Sequence, residues 1–166
     1  MAQFGRPASD ISIGPWTDDG AGTTDLYLAV SDSSDLTWIE DLNGGNGTAE
    51  FTMDALDDPI GNVDHIIRGR MRSAGSGAPE RLNVQIWQGA SFQVATTGNI
   101  SNRSAGFGLF GFAITDVEAD SITDYGDLRF RVISSNLGGT EDMFVADVWF
   151  QVPDAPVGGV RRIFNM

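Results

Sequence analysis

The chain of 166 residues carries 10 basic and 23 acidic side chains, and its net charge of −13 disfavours phosphate backbones and anionic membranes as partners. Its length fits one domain that folds without cross-links, and the absence of cysteine excludes disulfides, thiolate metal sites and cysteine nucleophiles. No apolar run approaches the roughly 20 residues of a membrane span, so we expect neither a membrane nor nucleic acid as partner.

Short strands separated by acidic turns are predicted in the first third of the chain. Alternating apolar and polar residues indicate a strand near 25–30 and weaker ones near 11–13, 36–40 and 49–53. The acids lie between them, in Asp18-Asp19-Gly20, in 32–35 and in Asp57-Asp58-Pro59. Aspartate stabilises such turns by accepting a hydrogen bond from the backbone two residues on. A loop that holds Ca²⁺ stays an alternative, although none has the alternating acids of an EF-hand.

The middle of the chain predicts four more strands, near 63–72, 82–88, 92–97 and 106–114. The second and third of these test the register of a hairpin. The apolar residues of the first strand are Leu82, Val84 and Ile86, and those of the second are Phe92 and Val94. A three-residue loop at 89–91 sets Ile86 opposite Val94 and keeps all five on one face. A two-residue turn would set Ile86 opposite Gln93, so we predict the longer loop.

The last third predicts a helix of at most two turns and the two clearest strands. Thr115 and Glu118 have the spacing of a capping box. Tyr125 is placed to pin a corner of a sandwich through a buried hydroxyl bonded to nearby backbone. Strand 127–133 puts Leu128, Phe130 and Val132 on one face. Strand 142–152 does the same, and its predicted inward residues are Phe144, Ala146, Val148, Phe150 and Val152.

These elements predict an all-β fold, an antiparallel β-sandwich of jelly-roll type with one short helix. We assign residues 1–152 to the sandwich domain and residues 153–166 to an extended C-terminal arm, because two prolines and paired glycines after Val152 cannot continue a sheet. The arm ends in apolar and basic residues, which indicates docking on a neighbouring subunit or on its own domain.

Catalytic chemistry finds little support in the residues. His65 is the sole histidine and precedes a strand, where a hydrogen-bonded structural histidine is the ordinary interpretation. The chain has no lysine for a Schiff base or a phosphate loop. Paired carboxylates of a glycoside hydrolase stay an alternative, but turn chemistry explains the acids directly. We therefore predict no enzyme activity and no cofactor.

Arginines on the outward side of strands are the first candidate partner contacts. Arg68, Arg70, Arg72, Arg129 and Arg131 occupy alternate positions, and a shared sheet would turn them into a positive stripe that clamps carboxylates of a partner. Pairing with the protein's own acids, such as Asp147, is the alternative. Further candidates are the aromatic and arm residues Phe107, Phe110, Phe112, Arg161, Arg162 and Phe164.

Tryptophans offer a different kind of site. Trp87 and Trp149 fall on the faces opposite the aliphatic sets of their strands, so they are either platforms for stacked sugars or residues covered by a loop or a subunit contact.

Two segments resemble small virion proteins of tailed bacteriophages, particularly head decoration or cement proteins. The first comprises Arg6-Pro7, Asp10-Ile11, Gly14-Pro15-Trp16-Thr17 and Asp25-Leu26-Tyr27. The second runs from Ala119-Asp120-Ser121-Ile122-Thr123-Asp124-Tyr125-Gly126-Asp127-Leu128-Arg129-Phe130-Arg131-Val132 to Val148-Trp149-Phe150-Gln151-Val152-Pro153-Asp154-Ala155. Residues 45–111 carry no matching motif.

The resemblance implies a phage virion structural protein, synthesised in the host cytoplasm, that binds the outer capsid surface and stabilises the shell. Its partners would be the major capsid protein and copies of itself, in a homotrimer. A carbohydrate-binding module, or a receptor-binding domain of a tail fibre or tail tip protein, is the alternative.

Overall fold

A computed structural model describes residues 2–19, 25–42, 46–59, 61–74, 81–101, 106–135 and 142–155. The strands are β1 (Gln3–Gly5), β2 (Pro7–Ser12), β3 (Thr17–Asp18), β4 (Ile39–Asp41), β5 (Thr48–Met53), β6 (Ile66–Ala74), β7 (Arg81–Gln88), β8 (Phe92–Thr96), β9 (Gly108–Ala113), β10 (Leu128–Ser135) and β11 (Asp142–Val152). The helices are α1 (Leu26–Ala29) and α2 (Asp116–Asp120), followed by a 3₁₀ turn at Tyr125–Asp127.

The strands form two antiparallel sheets, which confirms the predicted sandwich. Sheet A has the order β3-β4-β11-β6-β9, with β1 also paired to β11, and sheet B has the order β2-β5-β10-β7-β8. Consecutive strands repeatedly cross from one sheet to the other, as in β5 to β6 and β9 to β10, which is the jelly-roll pattern. The apolar faces of both sheets meet in one core, whose largest members include Trp16, Phe51, Phe130 and Phe150.

β10 follows its predicted alternation, whereas β11 contains a bulge that the sequence pattern does not reveal. Leu128, Phe130 and Val132 are buried in the core as predicted. In β11 the pairing with β6 shifts between Val145 and Asp147, so at this point two residues of β11 oppose one residue of β6. The bulge turns Phe144 to the outer face, and the prediction that it shares a face with Val148 was wrong.

The β7–β8 connection has the predicted three loop residues but not the predicted register. Gln88 pairs with Phe92 across the loop, and a bulge then sets Ile86 opposite Ala95 instead of Val94. Because the bulge admits Val94 and Ala95 to the interior together, Phe92 lies outside the core with 47% of its surface exposed. The inward position predicted for Phe92 was therefore wrong.

A helix replaces the strand predicted at 25–30. The carboxylate of Asp10, on β2, accepts hydrogen bonds of 2.8 Å from the backbone N–H groups of both Leu26 and Tyr27. These bonds satisfy donors that the first turn of α1 leaves open, and the sequence around α1 holds no sign of them. Helix α2 was predicted correctly, with a complete capping box between Thr115 and Glu118.

The first and last strands, β1 and β11, pair with each other. β1 pairs with the end of β11, with Gln3 opposite Val152, and the Gln3 side chain donates to the Pro153 carbonyl. β11 ends at Val152, and residues 156–166, which hold most of the predicted arm, lie outside the described residues. In the described part of the chain, no helix has the length and apolar character needed to cross a membrane.

Candidate functional site

The sole histidine is buried and hydrogen-bonded, as predicted. His65 is 1% exposed, its Nδ1 is 3.1 Å from the Val63 carbonyl oxygen, and its Nε2 is 2.8 Å from the Tyr125 hydroxyl. Burial lowers the pKa of His65 and raises the pKa of Tyr125 to about 12. A neutral imidazole that donates to Val63 and accepts from Tyr125 fits both shifts. The Tyr125 hydroxyl therefore binds the His65 imidazole, and the prediction that it binds nearby backbone was wrong.

The two arginine series lie on different sheets, so they do not form one stripe. Arg68, Arg70 and Arg72 follow the outer face of β6 in sheet A, whereas Arg129 and Arg131 follow β10 in sheet B. Most of them contact acids of the same chain, which is the alternative that the sequence left open.

On sheet A the β6 arginines are held by their own surroundings. Arg70 forms a 2.8 Å ion pair with Asp35 and lies 3.7 Å from the buried Asp147. Arg68 donates from Nε to the side-chain oxygen of Gln151 at 2.9 Å. The guanidinium of Arg72 lies within 5.5 Å of three aromatic ring centroids, those of Trp38, Phe107 and Phe144.

Two of the phenylalanines predicted as contacts, Phe107 and Phe110, are packed within the domain. Phe107 belongs to the aromatic group around Arg72, and its ring centroid is 5.9 Å from that of Trp38. Phe110 packs against the core beside Gly69, where an added Cβ would meet the phenyl ring at 2.5 Å. Phe112 is 38% exposed on β9. Arg161, Arg162 and Phe164 lie outside the described residues, so their predicted contacts stay predictions.

Trp149, on the outer face of sheet A, is partly covered. The guanidinium of Arg6 lies 5.5 Å from the Trp149 ring centroid and forms a 2.8 Å ion pair with Asp147. Burial raises the pKa of Asp147, and the positive charges of Arg6 and Arg70 oppose that shift. Arg6 also donates to the Ser31 carbonyl, which ties the segment after α1 to this face.

The outer face of sheet B is organised around Trp87. The Arg131 guanidinium stacks on this indole, 3.6 Å from the ring centroid, and its Nε donates to a Glu50 carboxylate oxygen at 2.9 Å. Arg129 binds the other oxygen of Glu50 at 3.2 Å. The Trp87 Nε1 donates to the Gln85 side-chain oxygen at 2.8 Å. Glu50 therefore fixes both guanidinium groups, and the Trp87 ring is held by the stacked Arg131 and by the hydrogen bond to Gln85.

We call this surface the Trp87 face and define it by Asn83, Gln85, Trp87, Arg129, Arg131 and Glu50. Strand pairing sets these residues in rows, with Trp87 opposite Arg129, and Gln85 opposite Arg131. Asn83 lies farther along β7, and its side-chain oxygen accepts a 2.7 Å hydrogen bond from Thr96. The members other than the nearly buried Glu50 are half-buried, so their edges reach solvent.

The sequence identified Trp87 and both arginines, but it missed Glu50, Gln85 and Asn83. Glu50 lies in a predicted strand and is the acid opposite Arg131, but that pairing is visible only once β5 and β10 are known to be neighbours. The polar positions of β7 alternate with its core residues. That alternation indicates a solvent-exposed face, but it does not show whether that face binds a ligand.

A cavity of about 360 Å³ lies between the segment that follows β5 and the segment that runs from α2 to the 3₁₀ turn. It is lined by Asp58, Pro59, Gly61, Asn62, Ala119, Asp120, Ile122 and Tyr125. The Asn62 amide donates to Asp120 at 3.0 Å. Among the described residues, no group of three or more histidine or carboxylate side chains is arranged to hold a metal ion.

Comparison with known proteins finds likeness in fold. No protein-family profile matches the chain, and no curated protein sequence matches it. The xylan-binding module CBM15 superimposes with a TM-score of 0.53 at 10% identity, over 94% of this chain and 99% of that module. The CBM22-1 xylan-binding domain of Paenibacillus barcinonensis Xyn10C gives a TM-score of 0.45 at 9% identity, over 91% of this chain and 99% of that domain. The likeness to CBM15 shows a shared β-sandwich fold.

Proposed function

We propose that this chain is a non-catalytic binding domain that recognises carbohydrate on the Trp87 face. The observation that carries the proposal is an indole fixed on the outer face of a sheet by planar polar side chains. Sugars bind to such surfaces because their C–H faces stack on an aromatic ring while their hydroxyls exchange hydrogen bonds with amides, guanidinium groups and carboxylates.

The internal contacts of the face suit this role because they fix its groups before a ligand arrives. Glu50 holds both arginines, and Gln85 holds the indole N–H. A ligand therefore orders few side chains on binding, which lowers the entropic cost of association. Because the whole chain carries a net charge of −13, we expect neutral glycans to bind better than polyanionic ones.

Sheet A is the weaker candidate for this function. Both tryptophans have a guanidinium over the ring, at 5.5 Å for Trp149 and 3.6 Å for Trp87. On sheet A the covering groups Arg6, Asp35 and Trp38 come from segments outside the strands. On sheet B the groups that hold Trp87 belong to the strands themselves, so that face is less covered. The shared fold with a xylan-binding module supports testing xylan fragments first.

The test is a screen of neutral and acidic oligosaccharides, xylo-oligosaccharides included, followed by calorimetry on variants. We expect Trp87→Ala to abolish binding. Trp149→Ala is the matched control, since it removes a half-buried tryptophan with an arginine contact from the opposite face, and it should bind like the unmodified protein. Failure of every oligosaccharide to bind, or equal loss in both variants, would contradict the proposal.

A second proposal concerns where the chain works, and its support is the resemblance of residues 119–132 and 148–155 to virion proteins. We infer that the chain is a phage structural protein, in the first place a decoration protein on the outer capsid surface that binds the major capsid protein and copies of itself. A receptor-binding domain at a tail tip is the alternative. In that role the chain would bind carbohydrate as part of the virion.

Purified protein and undecorated phage heads test this second proposal. We expect the protein to bind the heads and raise their resistance to heat. Absence of the protein from finished particles would contradict any virion role, and its presence only on tails would support the receptor-binding alternative.

A further inference from the structure

Strand β9 is an edge strand that lacks the features that normally prevent edge pairing. It is the last strand of sheet A, and its pairing with β6 runs without a register shift from Ile66 opposite Ala113 to Met71 opposite Gly108. The stretch 106–114 contains no charged residue and no proline. Leu109 is 65% exposed, and Phe112 is 38% exposed. A flat, uncharged and apolar edge is a template for another strand.

The other sheet edges are protected. β1, which pairs with β11 alone, has three residues, and β3 has two residues, one of them the buried Asp18. β2 begins at Pro7 and has two register shifts against β5, and β8 contains the bulge at Val94. Short strands, proline, inward charges and bulges are the usual protections of an edge. Among the edges that the structure describes, β9 alone lacks all of them.

The absence of acids from this edge allows a second copy of this chain to approach it. Two copies with a net charge of −13 repel each other, so they approach most easily where neither presents an acid. The edge 106–114 meets that condition. Beside it, the Arg68 guanidinium reaches within 3.4 Å of the point where a Cβ on Gly111 would lie. A positive side chain at this edge further reduces the repulsion between acidic copies.

The backbone pattern gives the register of the pair. The Ile114 N–H donates to the His65 carbonyl, so every second residue before it, Phe112, Phe110 and Gly108, directs its backbone groups toward β6. Leu109, Gly111 and Ala113 therefore direct theirs to the open side.

We propose that β9 pairs antiparallel with β9 of a second copy, with Gly111 opposite Gly111. This register lets the outward backbone groups of Leu109, Gly111 and Ala113 bond to those of Ala113, Gly111 and Leu109 in the partner. It also sets Phe110 of each copy opposite Phe112 of the other, and it joins the two A sheets into one. The proposal does not depend on sugar binding, because the Trp87 face belongs to sheet B.

The expected dimer is weak and depends on salt. An edge of six residues spans about 20 Å and buries less than the roughly 1,600 Å² of a standard interface, so we expect a micromolar or weaker dissociation constant. Screening of the net charge by salt should strengthen the dimer. The two-fold pairing also differs from the homotrimer that the virion resemblance implies, and the measured mass distinguishes them.

Sedimentation equilibrium of the full chain tests the proposal at concentrations up to about 1 mM. We expect a dimer whose dissociation constant rises about tenfold in Leu109→Glu, because a negative charge enters each edge of an already acidic pair, and stays unchanged in Val117→Glu. Val117 is the matched control, since it is 79% exposed and lies on α2. A monomer at every concentration, or an oligomer indifferent to Leu109→Glu, would overturn the proposal.

A cysteine cross-link tests the register separately. The chain has no cysteine, and residues opposite each other in a hydrogen-bonded antiparallel pair have Cα atoms about 5.5 Å apart, within disulfide range. Gly111→Cys should therefore form a disulfide-linked dimer on mild oxidation, at least about tenfold faster than Val117→Cys. Equal rates in the two variants would reject pairing about Gly111.

Discussion

Acidification should destabilise this protein through His65. The imidazole is 1% exposed, and burial lowers its pKa from 6.5. The nearby charges of Asp64 and Asp116 act in the opposite direction but are smaller effects. The unfolded chain therefore binds a proton near pH 6.5 that the folded chain does not yet bind. Stability from the neutral ring is present above pH 6.5 and is lost as the pH falls toward the lower pKa of the folded state.

The size of the effect follows from proton linkage. If the folded imidazole stays neutral, the free energy of unfolding falls by up to about 1.4 kcal/mol between pH 7.5 and pH 5.5. Asp147 acts in the opposite sense, because its pKa is raised and the folded state then binds the proton more readily. A comparison of the protein with His65→Gln cancels the Asp147 contribution, since both proteins retain that residue.

Urea unfolding at pH 7.5, 6.5 and 5.5 measures the effect. We expect the free energy of unfolding to fall more steeply with acidification in the unmodified protein than in His65→Gln, even if the variant is less stable throughout. Identical slopes would show that His65 titrates normally in the folded state, and a flatter slope in the unmodified protein would reverse the sign of the argument.

Three further predictions concern single contacts. Gly69→Ala should lower stability by about 2 kcal/mol in urea unfolding, because the added Cβ would lie 2.5 Å from the backbone oxygen of Asp147, and a loss below 0.5 kcal/mol would contradict this. Thr115→Ala should cost about 1 kcal/mol through the lost cap of α2, measured as a lower Tm, whereas an unchanged Tm would refute it. Glu50→Gln should weaken glycan binding and cost about 2 kcal/mol, because two arginines lose a shared carboxylate, and normal binding would show that their placement is unimportant.

The sandwich was predictable because local alternation defines its strands. The strands β6, β7 and β10 follow from period-2 patterns that hold along most of each strand. Bulges defeat the same method, since the extra residue in β11 leaves an apolar pattern that still looks regular. Helix α1 was missed because its N-terminal donors bind Asp10, which lies on another strand.

The candidate site was predictable only in part. Trp87 is recognisable as an outward tryptophan from its strand alone, and Arg129 and Arg131 from theirs. Their assembly with Glu50 depends on the order β5-β10-β7, which a pattern within one strand does not contain. The predicted arginine stripe failed for the same reason. It required β6 and β10 to share a sheet, and the pattern within each strand does not show that they lie in different sheets.

The most direct test of the proposed function is the NMR signal of the indole N–H groups during titration with an oligosaccharide from the screen. The four tryptophans give four such signals. We predict that the Trp87 signal shifts saturably, that the Trp149 signal stays in place and that the oligosaccharide is recovered intact. A shift of Trp149 alone, no shift at any concentration, or cleavage of the oligosaccharide would contradict the account.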